Sequence, residues 1–170
     1  QEARLSAAIG HNRYSTTGSS LGCNAQPLMQ RYVGGEVAVA HNGNLLNADL
    51  LRQDYESRGH IFHTSTDTEV IVHLLAAHHL SKRDPLAAAL DHLQGAYSLV
   101  FLYPDRIEAV RDPWGWRPLV IGRTAAGGYC VASETVALDA IGAEFLREVE
   151  PGEIVTLGAE GLHSRRFAAA

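Results

Sequence analysis

The sequence predicts an α+β fold with largely antiparallel sheets, and two observations indicate this class. Apolar residues at helical spacing fill most of residues 45–93, whereas short runs of β-forming residues separated by turn residues precede and follow that stretch. Helices between an early and a late group of strands are typical of the α+β class. The sequence has no βαβ unit and no glycine-rich phosphate loop, so it gives no support to a dinucleotide-binding or P-loop fold.

The first forty residues predict short strands and a polar loop. Residues 7–10 are apolar and indicate the end of a strand, whereas residues 11–22 are rich in serine, threonine and glycine and indicate a loop. Residues 33–40 predict a turn followed by a strand, with Gly34 and Gly35 at the hinge of a hairpin. These segments form the early strand group.

Two helices are expected next, because their start and stop signals are present. Asn47 is expected to cap a helical pattern that extends to Tyr55, and Gly59 stands where the C′ glycine of that helix belongs. Thr66 and Glu69 have the spacing of a capping box, with Thr66 at the N-cap. The apolar residues after Glu69 recur at 3.6-residue spacing, so a second helix follows the box.

A third helix and a late group of strands complete the prediction. Asp84 with Pro85 starts the helix, and Gly95 ends it. The pattern then changes to short runs separated by proline and glycine turns. Five strands are predicted there, over residues 97–102, 107–111, 119–122, 129–133 and 154–157.

Length and composition indicate a single domain over residues 1–170. The chain is 46% hydrophobic and 19% charged, and its net charge of −5 gives no basic surface for nucleic acid. No apolar run approaches the ~18 residues of a membrane helix, and no signal-peptide pattern opens the chain. The two cysteines, Cys23 and Cys130, form neither a CxxC pair nor a disulfide framework. We therefore expect a cytoplasmic protein that binds neither nucleic acid nor membrane.

Three segments carry residues suited to binding a free amino acid. Asn42 and Gly43 can aim a side-chain amide and a backbone N–H at one point, as the donors of an oxyanion hole do. Arg13 has the guanidinium fork that matches a carboxylate, and Asp67 can pair with an ammonium group. Each also has a structural interpretation: a surface arginine, a type I′ turn at Asn42 and Gly43, and an acidic residue that favours the helix dipole.

Other conspicuous residues favour structural roles. Residues 111–119 combine an Asp-Pro pair with a glycine and predict a tight turn between two strands. His73 and His78 are five residues apart, which does not suit the i, i+4 ligand pair of a helical zinc site, so no metal or other cofactor is expected in this chain. Cys130 lies in an apolar run and is expected to pack as a small hydrophobe, and Cys23 is a poor candidate nucleophile.

Seven short motifs together resemble those of a known family, the glutaminase domains of the amidophosphoribosyltransferases, which are class II glutamine amidotransferases. The resemblance extends from about residue 9 to about residue 161. Its markers are Gly10-His11-Asn12-Arg13-Tyr14, Ala25-Gln26-Pro27-Leu28, Ala40-His41-Asn42-Gly43-Asn44-Leu45, Thr66-Asp67-Thr68-Glu69-Val70, Arg111-Asp112-Pro113 through Arg117-Pro118-Leu119, Ala132-Ser133-Glu134 and Glu150-Pro151-Gly152-Glu153.

The resemblance implies a fold and a set of roles. The fold is an N-terminal-nucleophile hydrolase-like, four-layer αββα sandwich of antiparallel sheets. In it Arg13 would bind the α-carboxylate of L-glutamine, and Asp67 would bind the α-ammonium group. Asn42 and Gly43 would hold the oxyanion of the tetrahedral intermediate.

The resemblance also implies that Tyr14 and Thr16 fall in the loop that closes over glutamine.

The resemblance further implies parts that this sequence does not contain. The family's nucleophile is an N-terminal cysteine several tens of residues before Gly10. Here nine residues precede Gly10, and none of them is cysteine. The chain is therefore expected to be a fragment that lacks its N-terminal nucleophile strand and a C-terminal phosphoribosyltransferase domain, and to be inactive alone.

The parent protein implied by the resemblance transfers ammonia from glutamine to phosphoribosyl pyrophosphate, the first committed step of purine synthesis. It would use Mg²⁺ with phosphoribosyl pyrophosphate, form a homo-oligomer and, in many relatives, carry an iron–sulfur cluster. Two alternatives stay open: another class II amidotransferase, and a non-catalytic module that binds glutamine. A histidine-based metallohydrolase is disfavoured by the ligand spacing.

Overall fold

Nine strands and four α-helices are present in the part of the chain that the structure describes, residues 7–12 and 22–168 of a computed structural model. The strands are β1 (Leu28–Tyr32), β2 (Gly35–Leu45), β3 (Gly95–Leu102), β4 (Arg106–Arg111), β5 (Val120–Arg123), β6 (Tyr129–Ala132), β7 (Glu144–Glu148), β8 (Glu153–Gly158) and β9 (Gly161–Arg166). The helices are α1 (Ala48–Ser57), α2 (Thr68–His78), α3 (Pro85–Leu90) and α4 (Thr135–Ala140). The predicted α+β class is confirmed.

The strands form two antiparallel sheets. The larger sheet has the order β1-β2-β3-β4-β8-β9, and the smaller one has the order β6-β5-β7. Every strand pair in both sheets is antiparallel. The longest pairing joins β2 to β3, from Ala38 opposite Leu102 to Leu45 opposite Gly95.

Three apolar clusters place the sheets and helices in layers. One cluster joins α1, α2 and α3 to one face of the larger sheet through residues such as Leu99 and Phe101 of β3. A second cluster packs the opposite face of that sheet against the smaller sheet, with Val155 and Ile121 among its members. A third cluster packs Leu138 of α4 against the smaller sheet. Helices therefore cover the outer faces of two sheets that pack on each other.

Strand β2 is longer than predicted. The type I′ turn considered for Asn42 and Gly43 is wrong, because β2 continues through both residues to Leu45. Asn42 and Gly43 find partners in β3, opposite Ser98 and Tyr97. A strand ladder therefore replaces the turn, and the following helix starts only at residue 48.

The end signals of the helices are confirmed in part. Gly59 lies just past α1, where its N–H donates to Glu56 O at 2.9 Å. Asn47 precedes α1 but does not cap it; its side chain donates to His92 O at 2.8 Å and accepts from Gln94 N at 3.0 Å. These two bonds hold residues 92–94 outside a helix, so α3 ends at residue 90 rather than continuing to Gly95.

The remaining differences concern short elements. Residues 7–10, predicted as a strand end, have no regular secondary structure; Ala8 and Ile9 line a gap of about 190 Å³ beside Tyr129 and Val131 of β6. The five predicted late strands are present, but α4, β7 and β9 were not predicted.

Within the described residues, no helix has both the length and the apolar character needed to cross a membrane.

His73 joins α2 to the segment that follows α1. Its Nδ1 lies 3.1 Å from His60 Nδ1, and its ring packs on Phe62 with centroids 4.2 Å apart. Burial lowers the pKa of His73, and the charges of His60, Arg52 and His63 lower this pKa further. The Glu69 carboxylate raises it, but the net effect is a lowered pKa. The neutral imidazole is therefore the form that suits this interface.

Acid is expected to destabilise the fold through His73. Because its pKa is lower in the folded state than the ordinary 6.5, the unfolded chain binds the proton first. The free energy of unfolding should fall as pH falls below about 6.5, and this contribution should level off below the folded-state pKa. Thermal unfolding between about pH 7.5 and about pH 5.5 checks this.

The variant His73→Gln should reduce that loss of Tm, because it has no imidazole to protonate. The matched control is His163→Gln, at an exposed position of β9, which should leave the pH dependence unchanged. An equally steep pH dependence in His73→Gln and in the unchanged chain would show that other groups cause it.

Candidate active site

A cleft of about 780 Å³ brings together residues from distant parts of the sequence. It contains three of the predicted site residues, namely Asn42, Gly43 and Asp67. The other three, Arg13, Tyr14 and Thr16, lie outside the described residues. The further lining residues are Gly10, His11, Asn12, Gln26, His41, Thr66, Arg117, Val131, Ala132, Ser133, Glu134, Val136 and Ala137.

Asn42 and Gly43 reach the cleft from β2. The Asn42 side-chain amide donates to Ser133 Oγ at 3.4 Å, which links β2 to the end of β6. A Cβ atom at Gly43 would lie 2.1 Å from Ala96 O and 2.7 Å from the Cα atom of Tyr97, so no other residue fits the close approach of β3. The backbone at Gly43 is therefore held by its neighbour strand rather than by its own side chain.

Asp67 lies immediately before α2 and is buried. Its Oδ2 accepts the Leu45 N–H at 3.0 Å, and its Oδ1 lies 3.3 Å from His41 Nδ1. Burial by itself would raise the pKa of Asp67, but the hydrogen bond and charge of His41 and the Leu45 N–H outweigh it and lower the pKa. Asp67 is therefore an ionised carboxylate at neutral pH. It is bonded to the β2 residue Leu45, which lies two residues after Gly43.

The predicted capping box takes a different form. The helix begins one residue later than predicted, at Thr68, and the residue at its N-cap is Asp67. Glu69 is buried, and its carboxylate accepts the His63 and Thr64 N–H groups and the Thr64 hydroxyl instead of the Thr66 N–H. Glu69 thus fixes the loop that delivers Asp67 to the cleft.

Two of the lining residues without a predicted role, His41 and Gln26, contact the first residue of α2, Thr68. His41 is buried, with its Nδ1 between Asp67 Oδ1 and Thr68 Oγ1. The Gln26 side chain accepts the His41 N–H at 2.7 Å and donates to Thr68 Oγ1 at 3.1 Å. Both residues stood inside motifs that carried the family resemblance, and their adjacency to Asn42 and to Pro27 was the available signal.

The loop over residues 111–119 has the structural role that was predicted. Asp112 is fully buried and accepts four backbone N–H groups, from Tyr97, Trp114, Trp116 and Arg117, two on each oxygen. This carboxylate fixes the backbone of Arg117, a residue that lines the cleft.

Arg111 holds the same loop from its other side. Its guanidinium donates to the Arg117, Gly115 and Val149 carbonyl oxygens and forms an ion pair with Glu148 at 2.8 Å. Arg111 is thus paired with the last residue of β7 rather than with its neighbour Asp112. The loop is a rigid connection between β4 and β5.

The cysteines and the second large cleft lie apart from these residues. Cys23 is exposed and is not among the described residues that line the cleft, and Cys130 packs beside α4 as predicted.

A separate cleft of about 690 Å³ is lined by charged residues that pair with one another, including Arg165 with Asp84 and Glu108. Of the predicted site residues that the structure describes, none lines that second cleft.

Comparison with known proteins identifies the family of the chain. The family described as "Glutamine amidotransferase domain" matches residues 11–140. This match covers more than half of the chain and includes all six predicted site residues. The chain belongs to the glutamine amidotransferase domain family.

Individual proteins similar in sequence to this chain include amidophosphoribosyltransferases of a plant and of a bacterium. The chain is 52% identical over 159 residues to amidophosphoribosyltransferase 2, a chloroplastic protein of Arabidopsis thaliana, and the match covers 91% of the chain and 28% of that protein. It is 46% identical over 163 residues to an amidophosphoribosyltransferase of Bacillus subtilis, with 95% of the chain and 34% of that protein covered. The chain thus spans about a third or less of these relatives.

A solved structure supports the same relationship. The glutamine phosphoribosylpyrophosphate amidotransferase of B. subtilis, complexed with ADP and GMP, matches the chain with a TM-score of 0.83 and 41% identity. The match covers 94% of the chain and 34% of that protein. The fold described above is therefore shared with one part of that larger enzyme.

The four bonds of Asp112 predict that its carboxylate is required for stability. The variant Asp112→Asn should lower the free energy of unfolding by about 2–4 kcal/mol, because one oxygen with two N–H partners becomes an NH₂ group. Asp105→Asn is the matched control, since the Asp105 side chain is 73% exposed and its loss should change stability little. Denaturant unfolding followed by circular dichroism measures both; equal stabilities would contradict the assigned role.

Proposed function

We propose that the cleft binds L-glutamine and that the chain is the glutaminase portion of an amidophosphoribosyltransferase. The observation that carries this proposal is that Asp67 lines the same cleft as Asn42 and Gly43, which stand more than twenty residues before it in the sequence. Identities of about 50% to amidophosphoribosyltransferases support the same assignment.

The charges of the proposed site match those of a free amino acid. Asp67, ionised and held at both oxygens, binds the α-ammonium group, and Arg13 binds the α-carboxylate. Asn42 Nδ2 and the Gly43 N–H then stabilise the oxyanion that forms when the side-chain amide is attacked. Tyr14 and Thr16 belong to the loop that closes over the bound glutamine.

The layer order supports an N-terminal-nucleophile hydrolase-like αββα sandwich. In that fold class the attacking group is a cysteine at the mature N-terminus, whose own α-amino group moves the proton. Cys23 is not among the described residues around the cleft. We therefore propose that the 170-residue chain binds glutamine without hydrolysing it, and that an upstream cysteine supplies the nucleophile in the intact protein.

The whole reaction requires a second domain. In the intact protein L-glutamine, water and phosphoribosyl pyrophosphate give L-glutamate, phosphoribosylamine and pyrophosphate. A phosphoribosyltransferase domain with Mg²⁺ supplies the acceptor half, in line with relatives about three times as long as this chain. A cytoplasmic location, a homo-oligomer and an iron–sulfur cluster in the parent stay predictions.

Titration calorimetry with L-glutamine tests the binding claim. The unchanged chain should bind it without releasing ammonia, and Asp67→Asn should weaken binding about 10- to 100-fold, because a charge-assisted hydrogen bond to the ammonium group is lost. The control Asp105→Asn, at a residue that lines the other large cleft, should leave the affinity unchanged. Equal binding by the unchanged chain and Asp67→Asn, or ammonia release by the chain alone, would contradict the proposal.

The carboxylate partner can be assigned by a matched pair of arginine variants. Arg117 is the one arginine among the described lining residues, whereas Arg13 is assigned from the motif. Arg13→Ala should weaken glutamine binding more than Arg117→Ala, since the carboxylate pairs with Arg13. A larger loss in Arg117→Ala would transfer the carboxylate to Arg117.

A further inference from the structure

His41 is the buried histidine beside the proposed ammonium site. Its side chain is 1% exposed, with Nδ1 3.3 Å from Asp67 Oδ1 and 3.4 Å from Thr68 Oγ1. Its Nε2 atom is buried and has no hydrogen-bond partner within the described part of the chain. Because Nε2 is closed off, the imidazole does not touch a molecule in the cleft through that atom.

The contact with Asp67 determines which nitrogen carries a proton. An ionised carboxylate can only accept hydrogen bonds, so His41 Nδ1 must be the donor. The Leu45 N–H donates to the other oxygen of Asp67, at 3.0 Å. The carboxylate is thus fixed at both oxygens, and each oxygen keeps one lone pair for a further donor.

Gln26 holds the backbone of His41 and also holds Thr68, whose hydroxyl lies beside the imidazole. The Gln26 side-chain amide accepts a hydrogen bond from the backbone N–H of His41 and donates one to Thr68 Oγ1. It therefore joins β2 to the first turn of α2. Burial of an unpartnered nitrogen costs free energy, whereas an apolar ring of the same shape would not have that cost. The Nδ1 contact is what compensates for the presence of an imidazole at this position.

We infer that His41 is a positioning residue that orients the Asp67 carboxylate toward the α-ammonium group of a bound amino acid. This inference rests on the proposed function. It explains how the proposed glutamine site would distinguish a ligand with an α-amino group from a ligand without one. His41 acts through Asp67 and does not contact the reacting amide.

Two ligands and two conservative variants test this role. L-Glutamine is compared with glutaramate (5-amino-5-oxopentanoate), which has the same amide and carboxylate but no α-amino group. In His41→Asn the side-chain NH₂ group takes the place of Nδ1–H, whereas in His41→Gln it takes the place of Nε2. Dissociation constants for both ligands are measured by calorimetry, and Tm is measured to check folding.

The unchanged chain should prefer L-glutamine over glutaramate by about 10-fold or more. His41→Asn should keep this preference, and His41→Gln should lose most of it while its glutaramate affinity changes less than about 2-fold. Equal loss of affinity for both ligands, or an unchanged preference in His41→Gln, would overturn the inference. Failure of the unchanged chain to bind L-glutamine would overturn the proposed function and this role with it.

Nitrogen-15 NMR of the imidazole provides a second readout that does not depend on the variants folding. The His41 ring should be protonated at Nδ1, and its Nδ1 resonance should shift on addition of L-glutamine but not of glutaramate. A ring protonated at Nε2 alone, or an Nδ1 resonance that responds equally to both ligands, would show that His41 is not coupled to the ammonium site.

Discussion

The close approach of β2 and β3 is the constraint on which the candidate site depends. A Cβ atom on Gly43 would lie 2.1 Å from Ala96 O, and one on Gly95 would lie 2.3 Å from Asn44 O, so each strand leaves room only for a glycine in the other. Both glycines also have positive φ angles, +155° and +146°, which other residues rarely adopt. This pairing fixes β2, the strand that supplies the proposed oxyanion donors and the N–H that holds Asp67.

Buried carboxylates perform the second structural task, which is to fix the loops around the cleft. Glu69 organises the loop before α2 with three donors, and Asp112 organises the loop between β4 and β5 with four. Each carboxylate accepts enough hydrogen bonds to compensate for its burial. Asp67 differs, because it is held by two donors and still lines the cleft. Asp67 is therefore suited to binding a ligand, whereas Glu69 and Asp112 stabilise the fold.

The sequence was sufficient for the fold class, for the helices α1, α2 and α3 and for placing Asn42, Gly43 and Asp67 in one cleft, because these depend on periodicity, turn residues and residue chemistry. It was not sufficient for the conformation at Asn42 and Gly43, since an Asn-Gly pair also suits a tight turn, and the pairing with the distant strand β3 excludes that turn. The Asn47 side chain likewise bonds residues 92–94 rather than its own helix. His41 could not be assigned from spacing alone, because its partner Asp67 is 26 residues away.

The central claim is that the cleft beside β2, and not another surface, receives L-glutamine. The most direct measurement is a two-dimensional amide NMR titration of the chain with L-glutamine. The account predicts that the largest shifts occur at the amides of Gly43, Leu45 and Ser133, which surround Asn42 and Asp67. Shifts confined to the cleft that contains Arg165, or no shifts at all, would contradict it.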